Sequence, residues 1–181
     1  MPQSGMSDPA FQIIPVRADA DLDATVRLFR AYAASLPIDL AYQDFEGELA
    51  AMPGKYVPPS GELLLASTPL GAPLGCAALR PLDAAGRCEM KRLFVAPEGR
   101  GLGLGRALVA ELIAAAIRIG YTEMMLDTLA SMTAAQSLYR SCGFEEITPY
   151  YTSPIPGTIF MRRRLRDADP VQNDANYCSP P

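Results

Sequence analysis

The sequence predicts a single α/β domain on a mixed sheet, mostly antiparallel with a central parallel strand–helix–strand crossover. Three observations carry this. Short apolar runs of strand length come in hairpin-like pairs in both halves of the chain. A long helical pattern separates the runs Cys88–Val95 and Glu123–Thr128. The length of 181 residues with 49% hydrophobic residues suits one domain with a sizeable core.

The elements follow in order. Phe11–Arg17 reads as a first strand, and Pro15 inside it marks a sheet edge, because proline cannot donate to a ladder. Leu22, Val26, Phe29 and Ala33 recur at helical spacing, so a helix is expected from a cap at Asp19 or Asp21 to about Leu36, with Pro37 stopping it. A second helix is expected over about Tyr42–Met52, ending at Pro53-Gly54. Glu62–Ser67, Leu74–Arg80 and Cys88–Val95 read as three strands joined by turns at Thr68–Gly71 and Asp83–Gly86. A loop over Ala96–Gly101 leads into a helix over about Leu102–Ile119, with Leu104, Leu108, Leu112 and Ala115 on its core stripe and Gly120 as C-cap. Glu123–Thr128 is a buried strand and Thr133–Ser141 a helix closed by Cys142-Gly143. Phe144–Tyr151 and Thr158–Arg164 are the last strands. The domain is expected over 11–166, with a flexible leader over 1–10 and a disordered tail over 167–181.

Composition removes several classes of function. The formal net charge is −4, whereas nucleic acid and anionic membranes select a basic face, so neither is an expected partner. The chain has no histidine. Ser-His and Cys-His nucleophile pairs are therefore excluded, and no metal site is expected, since the four cysteines form no C-x-x-C pair. Acid–base chemistry falls to Glu, Asp, Tyr, Lys or Cys. The first residues lack the basic and apolar regions of a secretory signal, and no run reaches the roughly 18 apolar residues of a membrane helix, so a cytoplasmic location is expected.

The segment Arg100-Gly101-Leu102-Gly103-Leu104-Gly105-Arg106 lies between a strand and a long helix. Helix-start amides are unpaired, the helix dipole adds positive potential, and glycines admit close backbone approach. Arg100 and Arg106 add full charges. The chemistry implied is phosphate or pyrophosphate binding. The spacing is not that of a G-x-G-x-x-G dinucleotide loop, because Arg106 or Leu108 stands where its third glycine belongs. It is not that of a P-loop either, because Gly-Lys-Ser/Thr is absent. A glycine loop serving only close packing is the plainer alternative.

Arg100-x-x-Gly103-x-Gly105, preceded by Leu93-Phe94-Val95, resembles the acyl-CoA-binding signature of the GNAT N-acetyltransferase superfamily. Downstream, Ala135-x-x-Leu138-Tyr139-x-x-x-Gly143-Phe144 resembles that superfamily's later helix and following turn. Both blocks stand in the right order over about residues 87–146. The resemblance implies a GNAT-like fold and transfer of an acetyl group from acetyl-CoA to a primary amine in a ternary complex. It implies no metal. The acceptor is expected to be a small molecule, with a peptide or protein also open, and homodimers are common among such proteins.

The resemblance also implies roles. Leu93, Phe94 and Val95 would pair with the pantetheine arm, and the amides of Arg100, Gly101, Leu102, Gly103, Leu104, Gly105 and Arg106 would hold the pyrophosphate. Tyr139 would protonate the departing thiolate, and Glu89 fits the position of a general base, direct or through water. Read from the residues alone, Glu89 is a charged group in an apolar strand, suited to a cleft or to an ion pair with Lys91 or Arg92. Tyr139 is equally a core or rim aromatic. Met132 departs from the pattern, which often has Asn there, and cannot offer that amide hydrogen bond. On the acceptor side, Tyr42, Asp44, Tyr150 and Tyr151 are candidate contacts. The acidic residues Asp39, Asp44, Glu46 and Glu48 either attract a cationic amine or form a solvated helix face. Arg162–Arg164 with Arg166 reads as an exposed or edge-strand charge set that discourages aggregation, or else as a site for an acidic acceptor or the CoA 3′-phosphate. The competing reading is an acyl-CoA-binding sensor or scaffold without turnover.

Overall fold

The computed structural model describes residues 10–165, and the expected leader and tail lie outside them, apart from Ala10. The strands are β1 (Gln12–Pro15), β2 (Glu62–Ser67), β3 (Pro73–Pro81), β4 (Arg87–Val95), β5 (Glu123–Thr128), β6 (Glu145–Ile147) and β7 (Ile159–Arg164). The helices are α1 (Asp19–Ser35), α2 (Phe45–Ala50), α3 (Leu104–Ile119) and α4 (Thr133–Ser141). The sheet order is β1-β2-β3-β4-β5-β7-β6, and β4–β5 is the parallel pair in an otherwise antiparallel ladder. This is the mixed, mostly antiparallel architecture expected, with α3 as the crossover.

Each face of the sheet carries its own core. On one side Leu104, Leu108, Val109, Leu112 and Ala116 of α3 meet Leu64, Ala77, Leu79, Cys88, Met90, Met124 and Leu126 of the strands. On the other, Leu28 and Phe29 of α1 and Phe45 and Leu49 of α2 cover Leu63, Leu65, Cys76 and Ala78. Period-two alternation along β2 and β3 sends neighbouring residues to opposite cores, so both strands read as unbroken apolar runs.

Four local expectations need correction. The α1 cap is Ala18, in extended backbone without a side-chain bond, while Asp19 and Asp21 lie in the first turn, where they complement the helix dipole. The second helix is broken: a 3-10 turn spans Leu40–Gln43, and Asp44 at φ +53° reverses the chain before α2. The strand expected over 144–151 shrinks to β6. The part of the basic run on β7 is not at an edge, because β7 lies between β5 and β6 and Arg162 pairs with Glu123 and Glu145, though Arg164 is exposed; Arg166 lies outside the described residues. Pro15 does mark an edge strand, and Gly120 is the α3 C-cap at φ +100°.

Two features of β4 position the site. Its pairing to β5 covers only Arg87↔Glu123, Cys88↔Met124 and Glu89↔Met125, after which the strands part. Its pairing to β3 skips from Phe94↔Cys76 to Lys91↔Ala78, so Arg92 and Leu93 together oppose Ala77 in a β-bulge, with Arg92 at φ +57°. The bulge turns Lys91 and Arg92 toward the α1/α2 side. There Arg92 grips Glu48 of α2 through Nη2–Oε2 at 2.5 Å and Nε–Oε1 at 3.1 Å, and lies over the Phe45 ring. Burial alone would raise the Glu48 pKa, but the Arg92 guanidinium and the Tyr56 hydroxyl bond outweigh it and hold the carboxyl below its usual range.

Glu48→Ala is expected to destabilise the fold by about 3 kcal/mol at neutral pH, because it strands a buried guanidinium. A carboxyl with a depressed folded pKa contributes stability above its unfolded value, roughly 4.3, and loses it as pH falls through the folded one. The gap between wild type and variant in urea denaturation should therefore narrow in acid.

Candidate active site

The glycine loop meets α3 as its chemistry requires. Among the described residues, the backbone amides of Gly101 through Arg106 donate to no acceptor, and the first helix-closing bond at this end runs from Ala107 to Gly103. Gly101 and Gly103 have φ of +77° and +74°, and a Cβ at either would meet nothing within 4 Å. Their conformation requires glycine; crowding does not. Gly105 has another role: it sits inside α3, where a Cβ would come within 3.2 Å of Leu138 of α4. Arg100 is exposed at the loop. Arg106 instead ties α3 to α4 through Ser141 Oγ at 2.8 Å. Leu104 is a core residue and contributes only its amide, while Leu102 is exposed.

The parting of β4 and β5 opens a cleft on the strand that leads by chain to this loop. It is lined on one side by Met90, Lys91, Arg92 and Leu93 and on the other by Leu126, Asp127, Thr128 and Leu129, with Tyr139 and Met132 at the α4 end and Tyr32, Tyr42 and Gln43 opposite. Backbone groups on β4 beyond Glu89 have no β5 partner, so an extended ligand can pair there as an added strand. Leu93, Phe94 and Val95 lie on this stretch. The residues present thus fit a pantetheine arm along β4 with its pyrophosphate on the loop amides. Among the described residues, no cluster of three His, Cys, Asp or Glu side chains could hold a metal.

Tyr139 is buried against Phe144, with ring centroids 6.0 Å apart, and also lines the cleft. No hydrogen-bond partner for its hydroxyl is present among the described residues. Burial pushes its pKa well above the usual phenol value, so the proton stays on oxygen at neutral pH, as a donor to a leaving thiolate requires.

Glu89 is not where a base reaching into the cleft would be. Its side chain is 1% exposed and absent from the cleft lining. Arg80 approaches Oε2 through Nη2 at 2.7 Å and Nε at 2.8 Å, and the Tyr150 hydroxyl donates to Oε1 at 2.6 Å. Its ion-pair partner is thus Arg80 rather than the adjacent Lys91 or Arg92. Burial, then the Glu89 charge, drives the Tyr150 pKa far above normal, which keeps that donor protonated. Strand alternation explains the arrangement: Cys88 and Met90 join the α3 core, so Glu89 must face the opposite side, and there the loop after β6 closes over it.

The other acceptor candidates divide. Tyr42 lines the cleft, and its hydroxyl accepts from Gln43 Nε2 at 2.8 Å. Asp44 is exposed on a separate outer pocket with Gly54 and Lys55. Tyr150, Tyr151 and Phe160 form an edge-to-face cluster. Tyr151 reaches a second pocket of about 230 Å³, lined by Arg80, Lys91, Arg92 and Glu48, which adjoins the cleft at Tyr42, Gln43, Lys91 and Arg92. Sequence reading missed Arg80 and Asp127 as site residues and weighed Lys91 and Arg92 only as partners for Glu89. The available signal was a charge inside the apolar run Glu123–Thr128.

A strand edge left unpaired ahead of a bare helix mouth suits an extended ligand that ends in a phosphate group. Residues 25–144 match the acetyltransferase (GNAT) family, and the chain belongs to that family. An uncharacterised N-acetyltransferase of Schizosaccharomyces pombe is 43% identical over 160 residues, which covers 88% of this chain and 98% of that relative. A GNAT-family acetyltransferase of Staphylococcus aureus has the same fold, with a TM-score of 0.72 at 22% identity over 87% of this chain and all of that one. A Salmonella typhimurium acetyltransferase, whose structure holds its cofactor acetyl-CoA, aligns with a TM-score of 0.63 at 21% identity over 88% of this chain and 96% of that one.

Tyr150→Phe removes the donor to Glu89 Oε1 and leaves a buried carboxylate oxygen without a partner. A loss of about 2 kcal/mol is expected in denaturant unfolding, in line with hydrogen bonds to charged groups.

Proposed function

We propose that the protein transfers an acetyl group from acetyl-CoA to a primary amine by direct attack in a ternary complex. The observation that carries this reading is the unpaired β4 edge, whose chain runs on through the turn Pro97–Gly99 to the bare amides of Gly101–Arg106, with Tyr139 lining the cleft at that edge. The loop holds the pyrophosphate through those amides, the α3 dipole and Arg100. The β4 backbone orients the pantetheine and can polarise the thioester carbonyl. The acceptor enters from the opposite side, through the pocket that Tyr151, Tyr42 and Gln43 border. As the N–C bond forms and the C–S bond breaks, Tyr139 donates its proton to sulfur and regains one from solvent. The amine nitrogen loses two protons in all, and the net products are the amide, CoA thiol and one proton.

Thiol release from acetyl-CoA over a panel of primary amines (alkylamines, polyamines, amino acids and short peptides) tests the reading. Turnover with at least one class is expected. Tyr139→Phe should then lower kcat by about 10²-fold, as befits loss of a general acid, while acetyl-CoA still protects the variant in a thermal-shift titration. A wild type that binds acetyl-CoA yet releases no thiol with any amine would establish a binding module instead.

A further inference from the structure

Once Glu89 is committed to Arg80 and Tyr150, the cleft needs another group to take the proton from an incoming ammonium. Among the cleft-lining residues Asp127 is the only carboxylate. It lies on β5, two residues past Met125, the last to pair with β4, and so stands where the strands have parted. Its neighbours in β5, Leu126 and Met124, join the α3 core, so Asp127 projects to the acceptor side. It is nearly buried; Lys91 Nζ donates to its Oδ1 at 3.0 Å across the gap, and the Tyr151 hydroxyl also faces the carboxylate.

A second observation points at a ligand in the same place. Gln43 Oε1 and Thr128 Oγ1 are both buried atoms without a hydrogen-bond partner among the described residues. Both line the cleft, beside Asp127 in the case of Thr128, and Gln43 also lines the adjoining pocket. Buried polar atoms without a partner are costly, a cost that a bound donor with several N–H groups would relieve. A primary ammonium is such a donor.

We propose that Asp127 is the general base, receiving the acceptor's ammonium proton at the junction of cleft and pocket, with Gln43 Oε1 holding a second N–H. This rests on the transferase reading above. Lys91 assists in two ways. It fixes the Asp127 carboxylate across the gap, and its positive charge disfavours the charged form of the amine beside it. The ammonium gives one proton to Asp127, the freed lone pair attacks the thioester carbon, and Asp127 later returns the proton to solvent. The titratable and charged groups around Asp127 are Lys91 and Arg92 of β4, Tyr32 of α1, Tyr42 of the 3-10 turn, Tyr139 of α4, and Tyr150 and Tyr151 of the loop after β6. The tyrosines whose protons matter here all have raised pKa values, so an acidic limb in the rate profile belongs to a carboxylate or to the amine itself.

The test uses the full chain with acetyl-CoA and whichever amine of the panel turns over best, following kcat against pH. Asp127→Asn is expected to lower kcat by about 10²-fold or more and to flatten the acidic limb, and Asp127→Ala should recover turnover with added formate. Glu89→Gln should keep the limb at its wild-type position, whatever it does to stability. If the Asp127 variants fail to take up acetyl-CoA by thermal shift, the comparison moves to Asp127→Glu, which should keep a limb, and Glu89→Gln. An unaltered limb in Asp127→Asn, or its loss in Glu89→Gln, overturns the assignment to Asp127 and leaves the transferase reading standing. Absence of thiol release with every amine in the wild type overturns both.

Discussion

Everything at the site depends on β4 and β5 ceasing to pair after three residue pairs. A parallel ladder normally continues until a strand ends. Here it stops at Glu89 and Met125, while β4 runs on to Val95 and β5 to Thr128. The two edges past that point lack each other as ladder partners, and main-chain N–H and C=O groups cannot remain unbonded at low cost. The same gap leaves Asp127 lining the cleft. Without it, the glycine loop would be an anion site leading nowhere.

Three ion pairs hold the acceptor side of this gap, each joining separate elements. Arg92–Glu48 clamps α2 onto the β4 bulge, Lys91–Asp127 spans the opening, and Arg80–Glu89 locks β3 to β4 under the Tyr150 hydroxyl. Buried pairs of this kind contribute little net stability compared with apolar packing, yet removing one partner is costly. Their value lies in fixing geometry. The bulge puts two consecutive cations on one face, which a regular strand cannot do, and each finds a carboxylate from a different part of the chain.

Much of this was legible before any coordinates. The alternation of helical and strand patterns, the turn residues and the glycine loop all arise from local backbone preference and from apolar periodicity, so the mixed sheet and the α3 N-terminal site followed from neighbours in sequence. Tyr139 followed from its block. Where the reading failed, the deciding contact was distant. Asp44 reversed a helix whose apolar spacing looked continuous, and β7 went between β5 and β6, so that an apparent edge charge set became a set of cross-strand partners. For Glu89 the residues leave a cleft base and an ion pair both open; Arg80 and Tyr150, nine and sixty-one residues away, show the ion pair and its partners.

The sequence by itself determined the fold class, the helix mouth with its bare amides, and the presence of a phenol on the following helix. These rest on φ preferences, capping and periodicity within a few residues of one another. Only the tertiary structure decided which carboxylate faces the cleft, because that depends on where β4 leaves β5 and on which cation each acid meets. Periodicity tells which side of a strand a residue takes, but the partner waiting there comes from another part of the chain, and that partner settles whether an acid is a lock or an open lone pair.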